Sequence, residues 1–114
     1  MKKKALILAL AATIQMGASS VFASYSDING HWAESFINRL TYEGIVQGDG
    51  GGFRPDSCVN VDEFLKMTIA AMGIEVTPQQ WNWSKPYIEK ALEEKLIYAD
   101  EFDSFSRLIT RREI

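Results

Sequence analysis

The sequence predicts an all-α protein assembled from a repeated helix–loop–helix module, and three observations carry that expectation. The stretch Trp32–Leu40 returns 51 residues later as Trp83–Ala91, with Trp over Trp, Phe36 over Tyr87 and Ile37 over Ile88. Helix-start signatures recur as well: Asn60-Val61-Asp62-Glu63 and Thr110-Arg111-Arg112-Glu113 both have the form of a capping box, 50 positions apart. Apolar residues between these landmarks fall at spacings of three and four, the helical period. A long-period echo of this kind marks a repeated supersecondary unit.

Met1-Lys2-Lys3-Lys4 is a basic head, followed by the apolar run Ala5–Ile14 and a small-residue tail ending Val21-Phe22-Ala23. That order reads as a secretory signal peptide over residues 1–23. Its apolar core is too short for a stable span of roughly 30 Å of hydrocarbon. Cleavage would remove three lysines and no acid, moving the net charge from −3 to −6 and leaving 91 of the 114 residues. An acidic chain of about ninety residues allows one modest core and argues against nucleic acid, whose phosphates demand clustered Lys and Arg. With one cysteine, Cys58, no internal disulfide can form, and Cys58 reads as a small buried residue.

Residues 24–73 form the first module. Ser26–Gly30 is dense in turn formers, and Trp32, Ala33, Phe36, Ile37 and Leu40 then give one apolar helix face, with Glu34, Asn38, Arg39 and Glu43 opposite. Gly44 stands where a left-handed helix cap falls. Gly48-Asp49-Gly50-Gly51-Gly52 reads as loop, and Asn60 opens a second helix whose stripe is Val61, Phe64, Leu65, Thr68, Ile69 and Met72. Residues 74–82 are a linker too short for a flexible tether between independent domains. Residues 83–114 form the second module, with Ser84 as the expected cap of a third helix carrying Trp83, Tyr87, Ile88, Ala91 and Leu92. Lys95 replaces the capping glycine, so this helix is expected to end less cleanly. The signature at Thr110–Glu113 starts a helix that four residues cannot sustain; the expectation is an incomplete repeat, belonging to a longer protein or completed by another chain.

These residues resemble the S-layer homology (SLH) domain of bacterial surface proteins. The matching pieces are Asp27-Ile28 with His31-Trp32-Ala33, Gly44-Ile45-Val46-Gln47-Gly48, Phe53-Arg54-Pro55-Asp56 and the helix start at Asn60–Phe64, together with Ile109-Thr110-Arg111-Arg112-Glu113 in the second copy. The resemblance implies repeated modules packed as a partial pseudo-threefold bundle, and non-catalytic anchoring to a secondary cell wall polymer with pyruvylated sugars on peptidoglycan. It also implies location at the cell wall or S-layer, and further SLH repeats, from a longer chain or another copy, as partners; the leader makes the chain secreted, and an exported chain without disulfides suits a Gram-positive surface. The ligand-binding residues expected on this basis are Thr110, Arg111, Glu113, Trp32, Trp83 and Arg54. The family's signature arginine falls at Val61 in the first copy, so Arg111 alone carries it.

The residue chemistry agrees. A pyruvyl ketal is a carboxylate, which arginine's planar fork can grip. Trp32 and Trp83, at helix starts, read as core anchors before sugar platforms. No cofactor motif is present, and neither is a metal cluster: Asp49 among its glycines lacks the alternating acids of an EF-hand. One His and one Cys are a poor basis for a dyad, since His31 and Cys58 would also need an orienting third group. Adjacent Glu93 and Glu94 diverge on a helix and read as solvated. The competing reading is a degenerate SLH repeat protein that acts in protein–protein contact or self-assembly without glycan.

Overall fold

The computed structural model describes residues 25–114, so the expected signal peptide at 1–23 lies outside the described residues. Three α-helices follow a 3-10 turn at Ser26–Ile28: α1 at Glu34–Tyr42, α2 at Val61–Ala71 and α3 at Lys85–Glu93. Among the described residues there is no strand, only an isolated antiparallel bridge between Asn60 and Leu108. The described part is therefore all-α. None of these helices is long and apolar enough to cross a membrane.

The helices form for local reasons. At the start of α2 the Glu63 carboxylate reaches back to accept the Asn60 N–H at 2.8 Å, as a capping box should. At α3 the cap moves upstream: Ser84 already has helical dihedrals, and Asn82 Oδ1 accepts the Lys85 N–H at 3.2 Å instead. Pro86 then occupies the first turn, where a missing N–H costs nothing. α1 and α3 correspond position by position at the 51-residue offset, nine residues each. Gly44 and Lys95, also 51 apart, both take a left-handed φ, +74° and +56°, behind them. Ile45 N–H donates to Leu40 O, and its counterpart Leu96 N–H donates to Ala91 O, both at 2.9 Å. Lys95 thus ends its helix as cleanly as Gly44 does, contrary to expectation, although a side chain in that region costs about 1 kcal/mol.

The core is not where the module boundaries suggest. α2 packs against α3, and no comparable contact joins α1 to α2. Val61, Leu65 and Ile69 of α2 are buried with Ala91 of α3, Ile97 and Phe102, and Ile74, Val76, Tyr87, Ile88 and Ile109 close around them. The expected apolar face of α1 is only partly covered, with Ala33 and Leu40 half-buried. Ile37 is buried, whereas Trp32 and Phe36 remain 81% and 62% exposed. Trp32 is therefore no core anchor, nor is Trp83, 44% exposed and outside the core cluster, and Cys58 is exposed rather than buried. The reason is that α3 presents the same pattern as α1 and has claimed α2.

The returning chain explains that choice. Val61 N–H donates to Arg107 O at 3.0 Å, Asp62 N–H to Phe105 O at 2.9 Å, and Ile109 N–H to Val59 O at 2.9 Å. The last of these joins two residues that correspond at the 50-residue offset. Segment 105–109 so covers the start of α2, and it buries the Asp62 side chain. Burial pushes the Asp62 carboxyl above its ordinary range despite the Glu63 N–H it accepts at 2.8 Å. The fold favours its neutral form, so its ionisation opposes stability once pH rises past the ordinary value of 3.8.

Candidate functional site: a groove between the glycine loop and the third helix

A groove of about 770 Å³ runs between the loop after α1 and the start of α3, floored by α2. Its loop wall includes Gly48, Asp49, Phe53 and Arg54; Lys66 and Met67 of α2 form the floor, and Trp83 and Tyr87 form the far wall. Their spacing of four puts Trp83 and Tyr87 on the same side of the α3 start, with ring centroids 6.4 Å apart. Lys66 Nζ stands 5.8 Å from the Trp83 ring centre and 5.9 Å from that of Tyr87. A cation over two π faces is held by the ring quadrupoles without a carboxylate partner. Across the groove, Arg54 pairs with Asp49 at 2.7 Å, with the guanidinium side still largely exposed. Aromatic faces with adjacent cations suit a flat, partly anionic molecule.

Of the residues expected from the sequence, the groove brings together Trp83 and Arg54. Trp32 is absent from its lining and sits beside His31, ring centroids 5.6 Å apart. Thr110, Arg111 and Glu113 are also outside it, at the C-terminal turn. There Glu113 is fully engaged: its carboxylate accepts from Arg107 Nη2 at 2.7 Å, from the Thr110 N–H at 2.9 Å and from the Thr110 hydroxyl at 3.0 Å. The Arg107 guanidinium, also paired with Asp103 at 2.7 Å, is the main cause that holds the Glu113 carboxyl down at about 2. This interaction supports the fold above the ordinary value of 4.5 and is lost only as pH falls toward about 2. Arg111 is exposed and forms no ion pair among the described residues, which leaves its guanidinium available.

Lys66 and Tyr87 are not among the ligand-binding residues expected from the sequence, where Tyr87 reads only as part of an apolar helix face. The Trp83–Tyr87 spacing could have indicated the ring pair, but nothing local marks Lys66. Catalytic chemistry finds little support in the side-chain geometry. His31 spends both ring nitrogens, accepting the Ala33 N–H on Nδ1 at 3.1 Å and meeting Asp56 through Nε2 at 3.0 Å, so neither is free to act on Cys58. Among the described residues no three His, Cys, Asp or Glu side chains gather closely enough to hold a metal ion.

The family model of the S-layer homology domain matches residues 24–59. This segment, about a third of the chain, is similar to S-layer homology domains. Such domains are non-catalytic anchoring modules of the cell surface that bind cell wall polymers. The matched segment contains α1, the glycine loop and the whole loop wall of the groove, while the floor and the aromatic wall lie beyond it. No curated protein and no solved structure matches the chain.

Proposed function

We propose that the chain consists of two SLH repeats, residues 24–73 and an incomplete 83–114 joined by 74–82, and that after export the pair anchors to the secondary cell wall polymer of a Gram-positive surface. The groove carries this reading, because it sets the loop of the SLH segment opposite Trp83 and Tyr87 with Lys66 over their rings. A pyruvylated sugar offers an apolar ring face to the aromatics and a carboxylate to Lys66 and Arg54. In a chain with a net charge of −6 after cleavage, an acidic glycan must be met by such local cations. Arg111, outside the groove, supplies a second and more exposed anion contact.

Co-sedimentation with purified Gram-positive cell walls tests the anchor. The mature protein should pellet with walls that retain the pyruvylated polymer and stay in solution with walls stripped by acid. Equal pelleting with both would overturn the reading. The exposed Trp32, just before α1, and Phe36 on it support one other reading, a protein–protein contact without glycan, because apolar surface of this kind marks association sites. That reading predicts wall-independent self-association, which sedimentation velocity would detect.

A further inference from the structure

We propose that Asp27 is a positioning residue for the groove, a clamp outside it that fixes the glycine loop in the conformation that binds polymer. This rests on the groove being the polymer site. The loop wall contains no helix or strand, so its backbone needs partners from elsewhere. Asp27 supplies them. Its two carboxylate oxygens each accept the Phe53 N–H at 3.0 Å, and Oδ2 also accepts the Arg54 N–H at 2.7 Å. Two residues earlier, the Tyr25 hydroxyl accepts the Gly48 N–H at 2.8 Å, and the Tyr25 ring lies 5.4 Å from that of Phe53. Residues 25 and 27 therefore hold both ends of the loop.

The loop is shaped around this clamp. Gly52 has φ +151°, and a Cβ there would lie 2.7 Å from Asp27 Oδ2, inside contact distance. Arg54 sits in the left-handed region at φ +58°, a conformation that a side chain holds only when its surroundings impose it. The clamp on its own N–H is that imposition, and it directs the Arg54 side chain to Asp49 and the groove. The backbone donors, Arg54 first, hold the Asp27 carboxyl below its ordinary range, so the clamp stays charged at neutral pH. None of residues 25–54 belongs to the α2–α3 core cluster. Releasing the clamp should therefore free the wall without melting the core.

Asp27→Ala, Gly52→Ala and the double variant would be compared with Trp83→Ala in the mature protein. The readouts are affinity for walls carrying the pyruvylated polymer, amide exchange at Phe53 and Arg54, and thermal melting. The expected result is about tenfold weaker binding when the competent loop conformation falls to about a tenth of the population. Exchange at Phe53 and Arg54 should quicken, melting should be unchanged, and Asp27→Asn should fall between wild type and alanine. The double variant should bind better than the product of the two single losses predicts, because both substitutions disturb one contact, although the strain of alanine at φ +151° remains. Wild-type affinity in the Asp27 and Gly52 variants, with binding weakened in Trp83→Ala, overturns the clamp and leaves the groove standing. Unaltered binding in Trp83→Ala overturns the groove and the clamp with it. Weaker binding with unchanged exchange at Phe53 and Arg54 also overturns the clamp, since Asp27 would then act on the polymer directly. Should Asp27→Ala fail to fold, Asp27→Asn decides by the same readouts, since Gly52→Ala also strains the backbone at φ +151°.

Discussion

Ile69→Ala is expected to lower the melting temperature by about 10 °C or more. Ile69 is fully buried in the third turn of α2, within the cluster formed with Val61, Leu65, Ala91, Ile97 and Phe102. Truncating a buried isoleucine to alanine removes about 2–5 kcal/mol, part of it transfer energy and part the cavity left behind. A small domain holds about 5–15 kcal/mol in total, and one of this size lies toward the lower end. The cavity has little chance to close, because Ile69 has no exposed surface and lies within the cluster that α2 and α3 share. The comparison is Phe36→Ala: Phe36 is a larger side chain on α1 but 62% exposed, and its loss should barely move the melting temperature. Circular dichroism melts of the two variants decide the matter. Equal destabilisation would mean that the core does not lie between α2 and α3.

Trp83→Ala should weaken binding to polymer-bearing walls about thirtyfold, the scale of a hot-spot aromatic worth about 2 kcal/mol. The side chain is 44% exposed, so ring surface remains for a ligand beside its contacts with Tyr87 and Lys66. Its removal takes away the ring and also the quadrupole that holds the ammonium in place. Arg111→Ala should cost less, about fivefold, because a solvent-exposed charge contact contributes roughly 1 kcal/mol or below. Pelleting isotherms for the two variants give the ratio directly. A larger loss for Arg111 than for Trp83 would move the site from the groove to the C-terminal turn.

Sequence alone made the local structure legible, and the long-range structure much less so. The capping box at Asn60–Glu63, the glycine at position 44 and the four-residue spacing of apolar side chains are local codes, and the helices follow them. The partner of α2 has no local code: α1 and α3 carry near-identical stripes, and the choice falls to α3 through backbone contacts between 59–62 and 105–109, some 45 residues apart. Trp32 and Cys58 were misread for a related reason, since an apolar residue type does not by itself specify burial. Of the groove residues, Trp83 could be named from its repeat match to Trp32 and Arg54 from the Phe53-Arg54-Pro55-Asp56 piece. Lys66 could not, because a lysine at the edge of an amphipathic helix looks like any solubilising charge until the rings opposite it are placed.

The central claim is that one groove, with walls from two repeats, receives an acidic wall glycan. Amide and indole chemical-shift mapping of the mature, isotope-labelled protein against a soluble fragment of pyruvylated wall polymer tests it most directly. The expected result is a continuous set of shifted signals from Gly48 to Arg54, at Lys66, and at the Trp83 indole N–H, with the core residues of α2 unmoved. Shifts confined to Thr110–Glu113 or to the α1 face at Trp32 and Phe36, with the groove silent, would contradict it.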